Sequence, residues 1–286
     1  TLPLRAMLPR ALGGFKPETL VIVTLGSTQA ATVGLQLRQL RRRLAGEKIA
    51  AAKKPELAAP IDFHLGGRGE PRLVFDYRPH PETDVNFLVA NQTGHLLRFF
   101  SAPAAARFVS VAGRRTMASF IMETESELER LVAVFSRDQV RRMIARWYQG
   151  VVFQLTRMPA DIMVNKWLYD HCPELRRLQL HNISVQRRQA LQSLSPDVRR
   201  ATPARIYRAA NIMNFVFFKS LEDHFHGDFI GPYHKTIFIL DGAPLVRITA
   251  ARRKDDHAGD RAMIDAWAAA LALDHWYEWQ SYENFS

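Results

Sequence analysis

The sequence predicts an α+β fold, rich in helix with a small sheet and closing in a hairpin followed by a helix. Three patterns point to it. Apolar residues recur at helical spacing over long stretches, most clearly across 123–148 with Leu128, Leu131, Val132, Phe135, Val140, Met143, Ile144 and Trp147. Short β-branched runs stand apart from these, LVIVTL at 20–25 and RLVFDY at 72–77. Near the C-terminus, the apolar runs 235–240 and 245–249 flank Asp241-Gly242-Ala243-Pro244, turn chemistry that reads as a β-hairpin.

In chain order, Pro3, Pro9, Gly13, Gly14 and Pro17 make 1–19 an irregular arm. The run 20–25 is a buried strand, broken by Gly26-Ser27-Thr28. Residues 29–44 are helical, with Val33, Leu37, Leu40 and Leu44 in one stripe. The Ala/Lys/Pro-rich stretch 45–60 is a linker, so a basic N-terminal region (1–60) precedes one domain (61–286). After the strand 72–77, Thr83 or Asp84 caps a helix that runs through Asn91 and His95 to about Phe100. Pro159-Ala160-Asp161 opens a further helix as far as Asp170, and Pro173 ends it. Helical patterning returns at 175–193, 203–223 and 262–279.

Charge and cysteine count bound the function classes. The 286 residues are 47% hydrophobic and 23% charged, a globular composition. A net charge of +11 favours an anionic partner. Residues 1–60 carry ten Lys/Arg against three Glu, net +7, with Arg38, Arg41, Arg42 and Arg43 clustered on the first helix as candidate contacts to nucleic acid or another anionic partner. Arg187, Arg188, Arg199, Arg200 and Arg205 form a second basic feature. Residues 255–286 carry seven acids against Arg261, net −6, among Trp267, Trp276, Tyr277, Trp279, Tyr282 and Phe285. That aromatic tail reads equally as a protein interface or as packing onto its own core. Cys172 is the only cysteine, which excludes an intrachain disulfide and suits a reducing cytoplasm. No apolar run reaches the roughly 20 residues of a membrane helix, and no secretory pattern is present. The sequence starts at Thr1, so residues are expected to precede it.

The stretch Val89-Ala90-Asn91-Gln92-Thr93-Gly94-His95-Leu96-Leu97-Arg98-Phe99 resembles the zinc-binding helix of the zincin metallopeptidases, whose H-E-x-x-H pattern places two imidazole ligands one turn apart with a general base beside the first. Asn91 stands at the first ligand, Gln92 at the base, and His95 at the second ligand. The resemblance extends to the small zincin-like hydrolases of bacteria. Met158-Pro159-Ala160-Asp161-Ile162-Met163-Val164-Asn165 resembles their third-ligand helix, with Asn165 where Glu is expected. Cys172-Pro173-Glu174-Leu175-Arg176-Arg177-Leu178-Gln179 resembles the segment after it. The resemblance implies a zincin-like core whose chemistry has been removed, because neutral amides neither hold Zn²⁺ well nor accept a proton near neutral pH. An ordinary buried helix carrying an incidental Gly-His pair is the plainer reading.

The expected function is therefore a catalytically inactive, metallopeptidase-like protein, bacterial and cytoplasmic, serving as a binding or regulatory subunit in a larger assembly. It would have a protein partner, no cofactor and no membrane contact. The alternatives are an active Zn²⁺-dependent hydrolase built on His95, and a nucleic-acid-associated factor of a mobile element or defence system. For the hydrolase, Asp161 could replace Asn165 one turn away. A second metal candidate is His224 with His226, near Glu222, His234 and His257. No G-x-S-x-G and no P-loop is present, and Gly66-Gly67-Arg68-Gly69 is too short for a dinucleotide fingerprint.

Overall fold

The structure, a computed structural model, describes residues 51–53, 61–65, 73–77, the positions Phe87, Ala90, Asn91, Gly94, His95, Arg98 and Phe99, and residues 102–251 and 254–282. The expected strand at 20–25, the helix at 29–44 and the cluster Arg38, Arg41, Arg42 and Arg43 lie outside the described residues. The described chain is helix-rich with small sheets. It divides into two compact units. One holds the residues up to Arg107, Cys172–Asn182 and 281–282. The other holds Phe108–His171 and Ile183–Gln280.

The first unit contains a three-stranded sheet of β1 (Ala51–Lys53), β2 (Ile61–Leu65) and β3 (Leu73–Tyr77), in the order β1-β3-β2. β2 runs antiparallel to β3, from Ile61 opposite Tyr77 to Leu65 opposite Leu73, and β1 runs parallel to β3. β3 falls where RLVFDY predicts it. β1 lies within the stretch 45–60 that the sequence reads as a linker or mobile segment. β2 follows from its alternation, since Ile61, Phe63 and Leu65 alternate with Asp62 and His64 as a strand requires. Phe87, Ala90, Asn91, Gly94, His95, Arg98 and Phe99 are helical, and their three-four spacing is that of one helix face. All but His95 and Phe99 are buried. The ring of Phe99 meets Tyr282 edge-on at 5.2 Å, and the Tyr282 N–H donates to the Arg107 carbonyl at 2.9 Å.

The second unit is built on helices. After β4 (Phe108–Val111) come α1 (Arg114–Val132), α2 (Arg137–His171), α3 (Arg176–Gln192, from Ile183 onward), the short α4 (Pro196–Arg200) and α5 (Ala204–Phe225). Then follow a 3₁₀ turn at Gly231–Lys235, α6 (Phe238–Ala251), α7 (His257–Leu271) and β5 (Glu278–Ser281), which pairs with β4. α5 is the central element: from Asn211 to Phe218 every residue is buried, so it is apolar nearly all round, as a helix enclosed by neighbours must be. α2 and α6 pack on it, and α7 packs on both α2 and α6. The two asparagine side chains that α5 buries find partners. Gln154 Nε2 donates to the Ala210 carbonyl at 2.8 Å and to Asn214 Oδ1 at 2.7 Å. Ser193 Oγ donates to Asn211 Oδ1 at 2.6 Å.

Several expectations are corrected in this unit, each for a local reason. The single amphipathic stretch 123–148 is two helices. Ser136 and Gln139 form a reciprocal capping box, the Ser136 N–H donating to Gln139 Oε1 at 2.9 Å and the Gln139 N–H to Ser136 Oγ at 3.3 Å, which starts α2 afresh. The apolar stripe spans the break because Leu128, Leu131 and Val140 still bury one another. Pro159 does not open a helix. It sits inside α2, where it deprives the Leu155 carbonyl of its usual donor, and burial of Leu155, Ile162, Val164 and Leu168 on either side outweighs that loss.

The expected hairpin at 235–249 is α6, with Asp241-Gly242 and Pro244 inside it. Gly242 serves close packing and not a turn: a Cβ there would lie 2.6 Å from Phe215 Cδ1. Asp241 accepts a hydrogen bond from Arg208 Nε at 2.8 Å on α5. The closing helix is α7, shifted toward the N-terminus of 262–279. Asp256 caps its start by accepting from the Gly259 N–H at 2.6 Å, and Ala272 ends it in the left-handed region at φ 55°. Pro173 does end α2, and 175–193 and 203–223 are helical as expected.

Tyr148 ties the unit together from its interior. Its hydroxyl accepts from Thr116 Oγ1 at 2.5 Å and donates to the Trp276 carbonyl at 3.1 Å. Burial raises the pKa of Tyr148, Tyr233 and Tyr277 above the ordinary phenol value, and the Asp265 carboxylate raises Tyr277 further. The folded chain therefore holds these protons more tightly than the unfolded one. Below about pH 10 both states are neutral at these groups and stability is unaffected; above it the unfolded state loses protons that the folded state keeps. The urea midpoint is expected to stay level from pH 7 to 9 and to fall as pH rises past 10. A midpoint that holds or climbs between pH 10 and 11 contradicts this.

Candidate functional site

The motif residues fall on two elements. Asn91 and His95 are helical and one turn apart, Asn91 buried at 7% exposure and His95 partly buried. Gln92 is outside the described residues. Asn165 lies in the buried face of α2 at 2% exposure, and its Nδ2 donates to the Asp161 carbonyl at 2.8 Å, so part of the amide is used within its own helix. None of Asn91, His95, Asp161 and Asn165 is without an interaction partner. Asn91 and His95 belong to the first unit and Asn165 with Asp161 to the second.

The 222–234 cluster is taken up by structure at most positions. Glu222 faces the chain after α5 and caps it, its Oε2 accepting from the N–H groups of Phe229 at 2.7 Å and Ile230 at 3.0 Å. His226 is exposed and ends α5 in the left-handed region at φ 55°, and His234 is exposed on the 3₁₀ turn. His257 is buried at the start of α7, where its Nε2 accepts from the Phe108 N–H at 3.3 Å. His224 is the member that points into a site, its Nε2 lying 2.9 Å from Asp170 Oδ1.

That pair lies in a cavity of about 430 Å³ between α2, α5 and the end of α6. Lys166, Trp167, Asp170 and His171 line it from α2, Ser220, Asp223 and His224 from α5, and Val246, Thr249 and Ala250 from α6, with Asp255 following. The residues come from three helices and the stretch after α6, with Asp170 and His224 54 positions apart, so no sequence motif announces the cavity. The one legible hint is Ser220 and His224, which share a face of α5 at i and i+4. Among the described residues, no three His, Cys, Asp or Glu side chains converge where a metal ion could sit.

Two members of the second basic feature, Arg187 and Arg205, are committed to the fold. Arg187 Nε donates to the Phe229 carbonyl at 2.7 Å. The Arg205 guanidinium pairs with Glu123 at 2.8 Å, bonds the Ala272 carbonyl and covers the Trp276 ring at 5.0 Å. Arg200 and Asp197 pair on the exposed face of α4, and Arg199 is exposed there too. Of the aromatic tail, Trp267 and Trp276 are fully buried and Tyr277 nearly so, Trp279 and Tyr282 are partly buried, and Phe285 lies outside the described residues. Among the described residues no helix is long and apolar enough to cross a membrane. No family model, curated protein or solved structure matches the chain.

Proposed function

We propose that this chain is a metallopeptidase-like protein that binds and does not cleave, serving as a recognition or regulatory subunit within a larger assembly. The observation that supports the reading most directly is the placement of its amides. Asn91 and Asn165 stand where the zincin pattern has a ligand His and a ligand Glu, and both are buried polar side chains on helix faces rather than solvent-facing substitutions. Burying an amide costs free energy unless it is hydrogen-bonded, so such positions are retained for a reason of architecture. With neutral amides at two ligand positions and at the base, the polypeptide supplies neither a competent zinc site nor a group to activate water.

The test is metal analysis of purified protein together with restoration of the pattern. The wild-type chain is expected to hold well under one equivalent of Zn²⁺ and to leave peptide substrates intact. The variant Asn91→His/Gln92→Glu/Asn165→Glu is expected to bind about one equivalent. The pair Asn91→His/Gln92→Glu, which leaves the buried Asn165 untouched, is expected to bind Zn²⁺ more weakly and guards against misfolding of the triple variant. If both restored chains fold by circular dichroism and neither takes up zinc, the inherited frame is wrong. Stoichiometric Zn²⁺ in the wild-type chain, lost on His95→Ala, establishes the hydrolase instead.

A further inference from the structure

The cavity between α2, α5 and α6 has a composition at odds with the rest of the chain. The chain carries +11, yet among the described residues that line this cavity three carboxylates, Asp170, Asp223 and Asp255, stand against one lysine, Lys166. The two imidazoles that line it, His171 and His224, are engaged with the Trp167 carbonyl and with Asp170. Asp223 is further paired with Lys219 at 2.5 Å. Net negative lining in a positive molecule disfavours anions and favours a cation.

The polar groups at its inner end are unequal. Thr249 Oγ1 donates to the Leu245 carbonyl at 2.8 Å and accepts from Trp267 Nε1 at 2.9 Å, so its one proton is committed. Ser220 is 6% exposed, lines the cavity, and makes no side-chain hydrogen bond among the described residues. A buried hydroxyl left open to a cavity is a vacant donor and acceptor, costly unless a ligand or solvent completes it. The remaining walls are apolar, from Met163, Val246 and Ala250, with Trp167 stacked on His171 at 5.1 Å between ring centres.

A bare metal ion does not fit this description, because among the described residues no three His, Cys, Asp or Glu side chains converge on one point. The volume is that of a small organic molecule. We propose that the cavity binds an organic cation, an alkylammonium or guanidinium group on a short apolar stem. The carboxylates would hold the cationic head or heads, Met163, Val246 and Trp167 would cover the stem, and the Ser220 hydroxyl would accept a hydrogen bond from an N–H. Such a group reaches the cavity either as a free polyamine or as the side chain of a lysine or arginine in a protein partner, with the same chemistry of recognition.

Isothermal titration of the full chain with spermidine, and separately with Nα-acetyl-lysine methylamide and its arginine counterpart, tests the proposal. A saturable single site is expected for at least one of these at physiological salt, where a net +11 suppresses unspecific uptake of cations. Asp170→Asn and Asp255→Asn, both at exposed positions that leave the fold intact, are each expected to weaken it about tenfold. Ser220→Ala is expected to weaken it severalfold, and Asp197→Asn on α4 to leave it unchanged. Spermidine binding well ahead of the amino-acid derivatives identifies a free amine as the ligand; parity among them identifies a partner's side chain. Absence of saturable binding by all three cations, or binding that Asp170→Asn and Asp255→Asn both leave unaltered, overturns the proposal.

Discussion

Truncating Trp276 to alanine is expected to lower the unfolding free energy by about 3–5 kcal/mol, read as a large drop in urea midpoint at an unchanged slope. The indole is fully buried and meets Phe120 edge-on at 4.8 Å, so its removal leaves a cavity among aromatic neighbours. The polar loss adds to this. Trp276 Nε1 donates to Glu123 Oε2 at 3.1 Å, and the same carboxylate holds Arg205 at 2.8 Å and His275 at 3.2 Å. Without the ring, Arg205 also loses the π-face it covers. Helices α1 and α5 and the segment after α7 meet at this one side chain. Trp279→Ala is the control: its ring is only partly buried, and a cost under about 1 kcal/mol is expected. Equal costs for the two tryptophans would show that Trp276 is not the keystone described.

Gly242 carries the second large effect, and two opposing terms decide its sign. Alanine in place of glycine within a helix gains up to about 1 kcal/mol of propensity. Here the added Cβ would lie 2.6 Å from Phe215 Cδ1 and 3.0 Å from Cε1, inside the closest approach that carbon atoms tolerate. Phe215 is 3% exposed on the central helix, and its ring is flanked by Tyr233 at 5.9 Å, so it has little room to retreat. Overpacking of this kind costs about 1–3 kcal/mol, and the clash outweighs the propensity gain. Gly242→Ala is expected to destabilise and Gly242→Val to do so more strongly. In a Phe215→Ala background the sign reverses: with the ring gone, Gly242→Ala is expected to stabilise. A double-mutant cycle showing no coupling between the two positions would place the cause elsewhere.

Legibility of the fold followed the physics of each signal. α5 and α3 were readable because their helical patterning is long and uninterrupted, and β3 because it is short and apolar with Val and Phe. The errors gathered at residues whose local preference tertiary packing overrode. Pro159 reads as a helix start and Asp241-Gly242 as a turn, yet burial on both sides of each carries a helix through them. In α6 the glycine that mimics a turn is needed because Phe215 leaves no space for a side chain. The break between α1 and α2 could have been found, since Ser136-Arg137-Asp138-Gln139 has the capping-box spacing. The cavity could not. Its polar groups come from α2, α5 and the stretch after α6, and nothing in one dimension says that Asp170 will face His224.

The pairing of β4 with β5 closes a loop of some 170 residues, from Phe108 to the strand beginning at Glu278. Bringing such distant ends together carries an entropic penalty that grows as the logarithm of loop length, and it is recovered only when the intervening chain has already condensed. The two short strands have no sequence neighbour to template their pairing, so this seam is expected to form late in the unit's folding.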